Sequence, residues 1–106
     1  MADRLKELLA ELRAGYEAIY GDRLAEIVLY GSQARGDADS ESDIDIMVVL
    51  RGPLELPAEW RRTDDFVDRF CLEHDVLVSP NYVPEDSFRN EQSPLLLNVR
   101  REGVPF

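Results

Sequence analysis

The sequence predicts one small α/β (α+β) domain, and three observations carry that prediction. Helical and strand-like periodicities alternate along the chain, which is the pattern of mixed α/β packing. Gly and Pro punctuate the joints between them. The 106 residues suit a single domain spanning 1–106, and 44% of them are apolar, enough for one compact core.

The elements follow in order. Asp3 to Tyr20 reads as an amphipathic helix, with Leu5, Leu8, Leu9, Leu12, Tyr16 and Ile19 on one stripe and Gly21 at its C-terminal cap. Leu24 to Tyr30 (LAEIVLY) reads as a largely buried strand. The turn GSQARG follows, then an acidic loop over Asp37 to Ser42. Asp43 to Leu50 is a second strand, with Ile44, Ile46, Val48 and Leu50 on the face opposite Asp43 and Asp45. Gly52-Pro53 ends it.

Pro57 suits a first helical position, and the pattern stays helical to Glu73 with Trp60, Val67, Phe70 and Cys71 toward the core. Asp75 to Ser79 (DVLVS) reads as a third strand stopped by Pro80. Asn81 to Gln92 reads as loop with a short turn at Glu85-Asp86-Ser87, which places Tyr82 in the open. Ser93-Pro94 marks the start of a last helix over Leu95 to Arg101, and Gly103 its end.

Charge narrows the function classes. Acidic residues outnumber basic ones 22 to 12, a formal net charge of −10. Sequence-independent nucleic-acid binding relies on Lys and Arg contacts to phosphates, so direct nucleic-acid binding is not expected. A basic surface on a partner protein would be attracted instead. No apolar run approaches a membrane span, and Met-Ala-Asp-Arg is unlike a signal peptide, so a cytoplasmic location is expected. Cys71 is the only cysteine, which excludes an internal disulfide.

Chemistry concentrates in YGSQARG…SDIDI. Asp43 and Asp45 alternate onto one face of a strand whose other face is apolar. Two neighbouring carboxylates there need compensation. Divalent ions bridging phosphate oxygens supply it. An EF-hand loop starting at Asp37 is the nearest rival. It fails because its sixth position is Ser42, not Gly, and its twelfth is Val48, not Glu. Gly31 permits close backbone approach, and Ser32 adds a short hydroxyl donor, so the pair can present donors to a phosphate. No Gly-Lys-Ser/Thr follows, which excludes a Walker loop. Arg35 is placed to reach a triphosphate or a partner, and equally suits a solvated turn.

The pattern G-S-x-x-R-G followed by S-D-I-D-I resembles the minimal nucleotidyltransferase (MNT) domains of the DNA polymerase beta superfamily, the antitoxin members of HEPN/MNT toxin–antitoxin pairs. The match covers about the first three quarters of the chain. The resemblance implies a small mixed β-sheet with helices packed on one face. It implies Mg2+ (two ions) at Asp43 and Asp45, ATP as substrate, and Gly31, Ser32 and Arg35 as nucleotide-binding residues. It also implies a third acid on a following strand. Asp75 is the candidate, and a helix-terminating Asp is its other reading. The implied activity is transfer of AMP from ATP to a tyrosine of a cognate HEPN ribonuclease toxin, with which the chain would form a hetero-oligomer. Two rivals remain: neutralisation of a toxin by association alone, and nucleotide transfer to a small molecule. His74, the only histidine, spells Arg-x-x-x-x-His with Arg69, a chance match to the HEPN ribonuclease motif.

Overall fold

The computed structural model describes residues 3–36 and 43–106. The expected acidic loop at 37–42 lies outside the described residues.

Helix α1 (Asp3–Tyr20) forms on the predicted stripe, burying Leu8, Leu9, Leu12, Tyr16 and Tyr20. Gly21 takes φ 53° and turns the chain through one 3-10 turn (Gly21–Arg23). Strand β1 (Leu24–Tyr30) then runs antiparallel to β2 (Ile44–Leu50), from Leu24 opposite Leu50 to Tyr30 opposite Asp45. Between these strands sits α2 (Ser32–Arg35), a single helical turn. Helix α3 (Leu56–His74) has Pro57 in its first turn, where no intrahelical N–H is needed. Strand β3 (Val78–Pro84) lies parallel to β2. Helices α4 (Glu85–Asn90) and α5 (Pro94–Glu102) follow, and β4 (Val104–Pro105) pairs antiparallel with β1. The sheet order is β3-β2-β1-β4.

Two layers of side chains cover the sheet. On one face, α1 and α3 pack against Leu29, Ile44, Ile46, Val48 and Leu50. Each of these side chains stabilises the fold by about 1.5–3 kcal/mol when fully buried. The other face carries a smaller cluster, in which Phe88 of α4 and Leu96 and Val99 of α5 cover Val28, Met47 and Val49. The expected mixed sheet is therefore present, with α4 and α5 as a second layer beyond the face expected to carry all the helices. Ser93 caps α5 by accepting a hydrogen bond from the Leu96 amide at 3.2 Å, and Arg100 donates to the carbonyls of Phe88 and Glu91, tying α5 to α4.

The third strand is longer and later than predicted. Proline removes a ladder donor, but β3 is an edge strand, where proline is tolerated. Val78, Pro80 and Tyr82 alternate inward, while Ser79 and Asn81 face out. Tyr82, expected in an exposed loop, is buried in this strand. Its hydroxyl lies 3.0 Å from that of Tyr16 and 2.6 Å from Oγ1 of Thr63. Trp60, expected toward the core, is 39% exposed, and its ring meets that of Tyr82 in a T-shaped contact. Nearby, the buried carboxylate of Glu59 accepts from Tyr20 at 2.9 Å and from Arg23 and Arg62 at 3.3 and 3.4 Å. Among the described residues, no buried side-chain polar atom lacks a partner. No helix among them is long and apolar enough to cross a membrane.

Candidate functional site

The site forms where β1 ends and β2 begins. Tyr30 and Asp45 are register partners, so both side chains stand on the α5 face of the sheet. Gly31 follows with φ 76° and ψ −157°, backbone angles that belong essentially to glycine. A β-carbon placed there would come within 2.5 Å of Oδ2 of Asp45. The main chain thus passes directly against the carboxylate, and only glycine allows that approach. Ser32 opens the single turn of α2. The Arg35 amide closes the turn on the Gly31 carbonyl at 3.2 Å, and Gly36, at φ 79°, reverses the chain.

Asp43 lies just ahead of β2 and is exposed, while Asp45 is half-buried. Burial pushes the Asp45 carboxyl above the usual carboxylate range. The like charge of Asp43 adds to that shift, and Arg35 partly offsets it. Hard cations are held by such oxygen pairs, with one or two carboxylates completed by substrate phosphates. Asp43 and Asp45 therefore fit magnesium.

Strand β3 supplies the third side of the site. Ser79 sits beside Asp45 in parallel register, and its hydroxyl donates to Oδ2 of Asp43 at 3.5 Å. Asn81 donates to the Tyr30 hydroxyl at 2.7 Å. Burial raises the Tyr30 hydroxyl's pKa; the Asn81 bond opposes the shift and the Asp45 charge adds to it. Tyr30 packs against the smaller core cluster, as the sequence led one to expect, whereas Ser79 and Asn81 were missed. The outward alternation of Ser79 and Asn81 was the available signal, hidden once Pro80 was read as a stop.

Asp75 does not open β3. It caps α3 in the left-handed region, φ 53°, with its amide bonded to the Cys71 carbonyl. The helix end is fastened to α1, because His74 Nε2 lies 2.6 Å from Glu11 and Arg4 donates to the His74 carbonyl. The chain reaches the sheet only afterward, where the Leu77 carbonyl accepts from the Ile44 amide. Among the described residues no three His, Cys, Asp or Glu side chains form a metal-holding group. Asp75 is thus not gathered with Asp43 and Asp45, and the helix-terminating reading describes its place.

A carboxylate pair at the start of a strand, with a glycine turn against it on a four-stranded mixed sheet, is the arrangement that the resemblance to nucleotidyltransferases implied. Residues 5–103 match the nucleotidyltransferase domain family, and the chain belongs to it. It is 44% identical over 100 residues to a candidate protein adenylyltransferase of Methanocaldococcus jannaschii, covering 93% of this chain and 90% of that one. A second such protein of the same organism is 34% identical over 76 residues, 70% of this chain and 74% of that relative. Among solved structures, a toxin–antitoxin structure with AMP-PNP superposes with a TM-score of 0.56 at 25% identity. That match covers 78% of this chain, which spans only 60% of the length of the solved chain.

Proposed function

We propose that this chain is a magnesium-dependent nucleotidyltransferase that moves AMP from ATP to a protein hydroxyl, a tyrosine of a cognate HEPN ribonuclease toxin, and so acts as an antitoxin. The observation that carries the reading is the close approach of the Gly31 main chain to the Asp45 carboxylate, which sets the glycine turn against one member of the carboxylate pair. Asp43 and Asp45 would hold the ions. The Gly31-Ser32 amides and the Ser32 hydroxyl would bind phosphate oxygens, and the Arg35 charge would face the triphosphate. Bound magnesium supplies neutralisation of phosphate charge and activation of the acceptor hydroxyl. The acceptor hydroxyl would give up its proton to solvent as its oxygen bonds to the α-phosphorus, the bond from that phosphorus to the α–β bridging oxygen would break, and pyrophosphate would leave carrying the bridging oxygen. The M. jannaschii relatives, called candidate protein adenylyltransferases, support a protein acceptor. The toxin–antitoxin structure holding AMP-PNP supports both a toxin partner and a nucleotide.

A second reading, a binding module that neutralises a toxin by association, is favoured by one observation: Asp75 stands apart from the carboxylate pair. The double variant Asp43→Asn, Asp45→Asn separates the two. Neutral amides are weak ligands for a hard cation, while the sheet loses a like-charge repulsion. The variant should stay folded, still bind the partner, and transfer no label from α-labelled ATP. Under the enzymatic reading it fails to protect cells from the toxin. Full protection by a folded variant without transferase activity would defeat that reading.

A further inference from the structure

The last residue of β1 before the glycine turn is held by the sheet on one side only. Strand β2 pairs with β1 as far as Tyr30, opposite Asp45, whereas β4 pairs with β1 at Val28 and Leu29 and goes no further. Gly31 comes next, and its main chain passes against the Asp45 carboxylate. Glycine is the least constrained of residues, so Gly31 permits the turn without holding it there. The constraint has to come from its neighbours.

The Tyr30 side chain supplies one. The sheet order is β3-β2-β1, and Asn81 of β3 is the register partner of Met47 on β2. The Asn81 carboxamide donates to the Tyr30 hydroxyl at 2.7 Å. The phenol therefore spans the width of β2, on the face that carries Asp45 and Met47, and joins the two strands that β2 separates. Its ring packs against the cluster of Val28, Met47 and Phe88, so the side chain is gripped along the ring and again at its tip. We infer that Asn81 is a positioning residue of the phosphate site: through Tyr30 it straps β3 to β1 and holds the Gly31 turn in register with the carboxylate pair. The inference rests on the proposed nucleotidyltransferase reading and deepens it.

The residue type and its place support the role. Asn is depleted from strands, and Asn81 is exposed, so neither strand preference nor apolar burial accounts for it. Its position also depends on β3 running on past Pro80, because a strand stopped there would not bring Asn81 alongside Met47. The benefit of the strap is preorganisation. A loose turn would have to be ordered by each phosphate that binds, and that ordering cost is subtracted from affinity. A turn already fixed against Asp45 avoids it.

The test is a double-mutant cycle on the full chain. The variants are Asn81→Ala, Tyr30→Phe, which keeps the ring and loses the hydroxyl, and the two combined. Each is titrated calorimetrically with inorganic tripolyphosphate in magnesium buffer, well below its Tm. Loss of one neutral hydrogen bond sets the scale, roughly two- to tenfold in affinity. Each single variant should weaken binding by about three- to tenfold, and the double variant by no more than a single one, since both remove the same bond. In ¹H–¹⁵N spectra, Asn81→Ala should shift the amide signals of Gly31 and Ser32, across β2 from the substitution, and leave that of Gly52 in place. A strut that only adds stability would lower Tm while leaving both the affinity and the Gly31 signal unchanged. That result, with the parent still binding, overturns this inference alone. So do single losses that multiply in the double variant. If the parent itself does not bind tripolyphosphate, the nucleotidyltransferase reading falls and this inference with it.

Discussion

Replacing Gly31 by alanine tests the contact on which the site is built. Two costs add. The backbone angles, φ 76° and ψ −157°, lie in a region that non-glycine residues occupy only under strain, at about 1–3 kcal/mol. The new methyl would also stand 2.5 Å from Oδ2 of Asp45. The carboxylate must swing aside, and an off-rotamer side chain costs about 0.5–1.5 kcal/mol. The sum is roughly 1.5–4.5 kcal/mol, which lowers Tm by about 6–36 °C at about 4–8 °C per kcal/mol for a domain of this size. Gly36 is the control. It also has positive φ, 79°, but a β-carbon there meets nothing within 4 Å. Gly36→Ala should therefore cost only the left-handed strain, roughly 1–2 kcal/mol.

The two parts of the Gly31 cost are separable by a double-mutant cycle read in urea titrations at neutral pH. Asp45→Ala removes the atom that the methyl would strike and leaves only Cβ, at an ordinary 3.5 Å. In that background, Gly31→Ala should lose its steric part, a coupling of about 0.5–1.5 kcal/mol. If Gly31→Ala costs no more than Gly36→Ala, and its cost is the same with and without the Asp45 carboxylate, the argument from close approach is wrong.

Asp45→Asn should raise Tm at pH 7 in EDTA. The folded carboxyl titrates above its unfolded value, so the linked stability is full in acid and is lost as pH rises through the folded value. The variant's advantage should accordingly vanish below the usual carboxylate range; a constant advantage across pH would contradict the burial argument. Thr63→Val keeps the shape of a fully buried side chain but removes its bonds to Tyr82 and to the Glu59 carbonyl. It should cost about 1–3 kcal/mol in urea titrations, and a neutral result would remove the buried hydroxyl chain from the account of the core. Ser32→Ala should weaken magnesium–ATP binding by roughly 1.5–3 kcal/mol with Tm unchanged, for loss of one charge-assisted hydrogen bond. Unchanged calorimetric affinity would return Ser32 to an ordinary turn.

What could be read in the sequence was whatever local periodicity and turn chemistry fix. The stripe of α1, the alternation of β2, the Ser93 cap and Gly103 at the end of α5 all depend on neighbours a few residues away. What could not be read depended on position within the sheet. Whether Pro80 stops a strand is decided by whether that strand is central or at an edge, and no nearby residue encodes this. The same misreading carried Tyr82 into a loop and Asp75 into a strand. Strand β4 is two residues long and takes its identity only from pairing with Val28 and Leu29. The glycine turn and the carboxylate pair were legible because each is set by residues close together in the sequence. The third side of the site, Ser79 and Asn81, was not, because sheet register brings it there.

Strand β2 shows how stability and site become one specification. Its inward residues, Ile44, Ile46, Val48 and Leu50, are each at most 2% exposed beneath α1 and α3. Its other face changes character along its length: Asp43 and Asp45 come first, then Met47 and Val49, buried under α4 and α5. A register slip of one residue would drive Asp45 into the core and lift Ile44, Ile46, Val48 and Leu50 out of it. The apolar face therefore fixes where the carboxylates stand. The fixed register in turn puts Asp45 opposite Tyr30, and the chain must leave Tyr30 past that carboxylate. Gly31 is the residue that lets it do so. The turn is thus determined by the strand pairing and by the carboxylate, and the backbone strain it carries is confined to the one residue type that bears it without cost to the core.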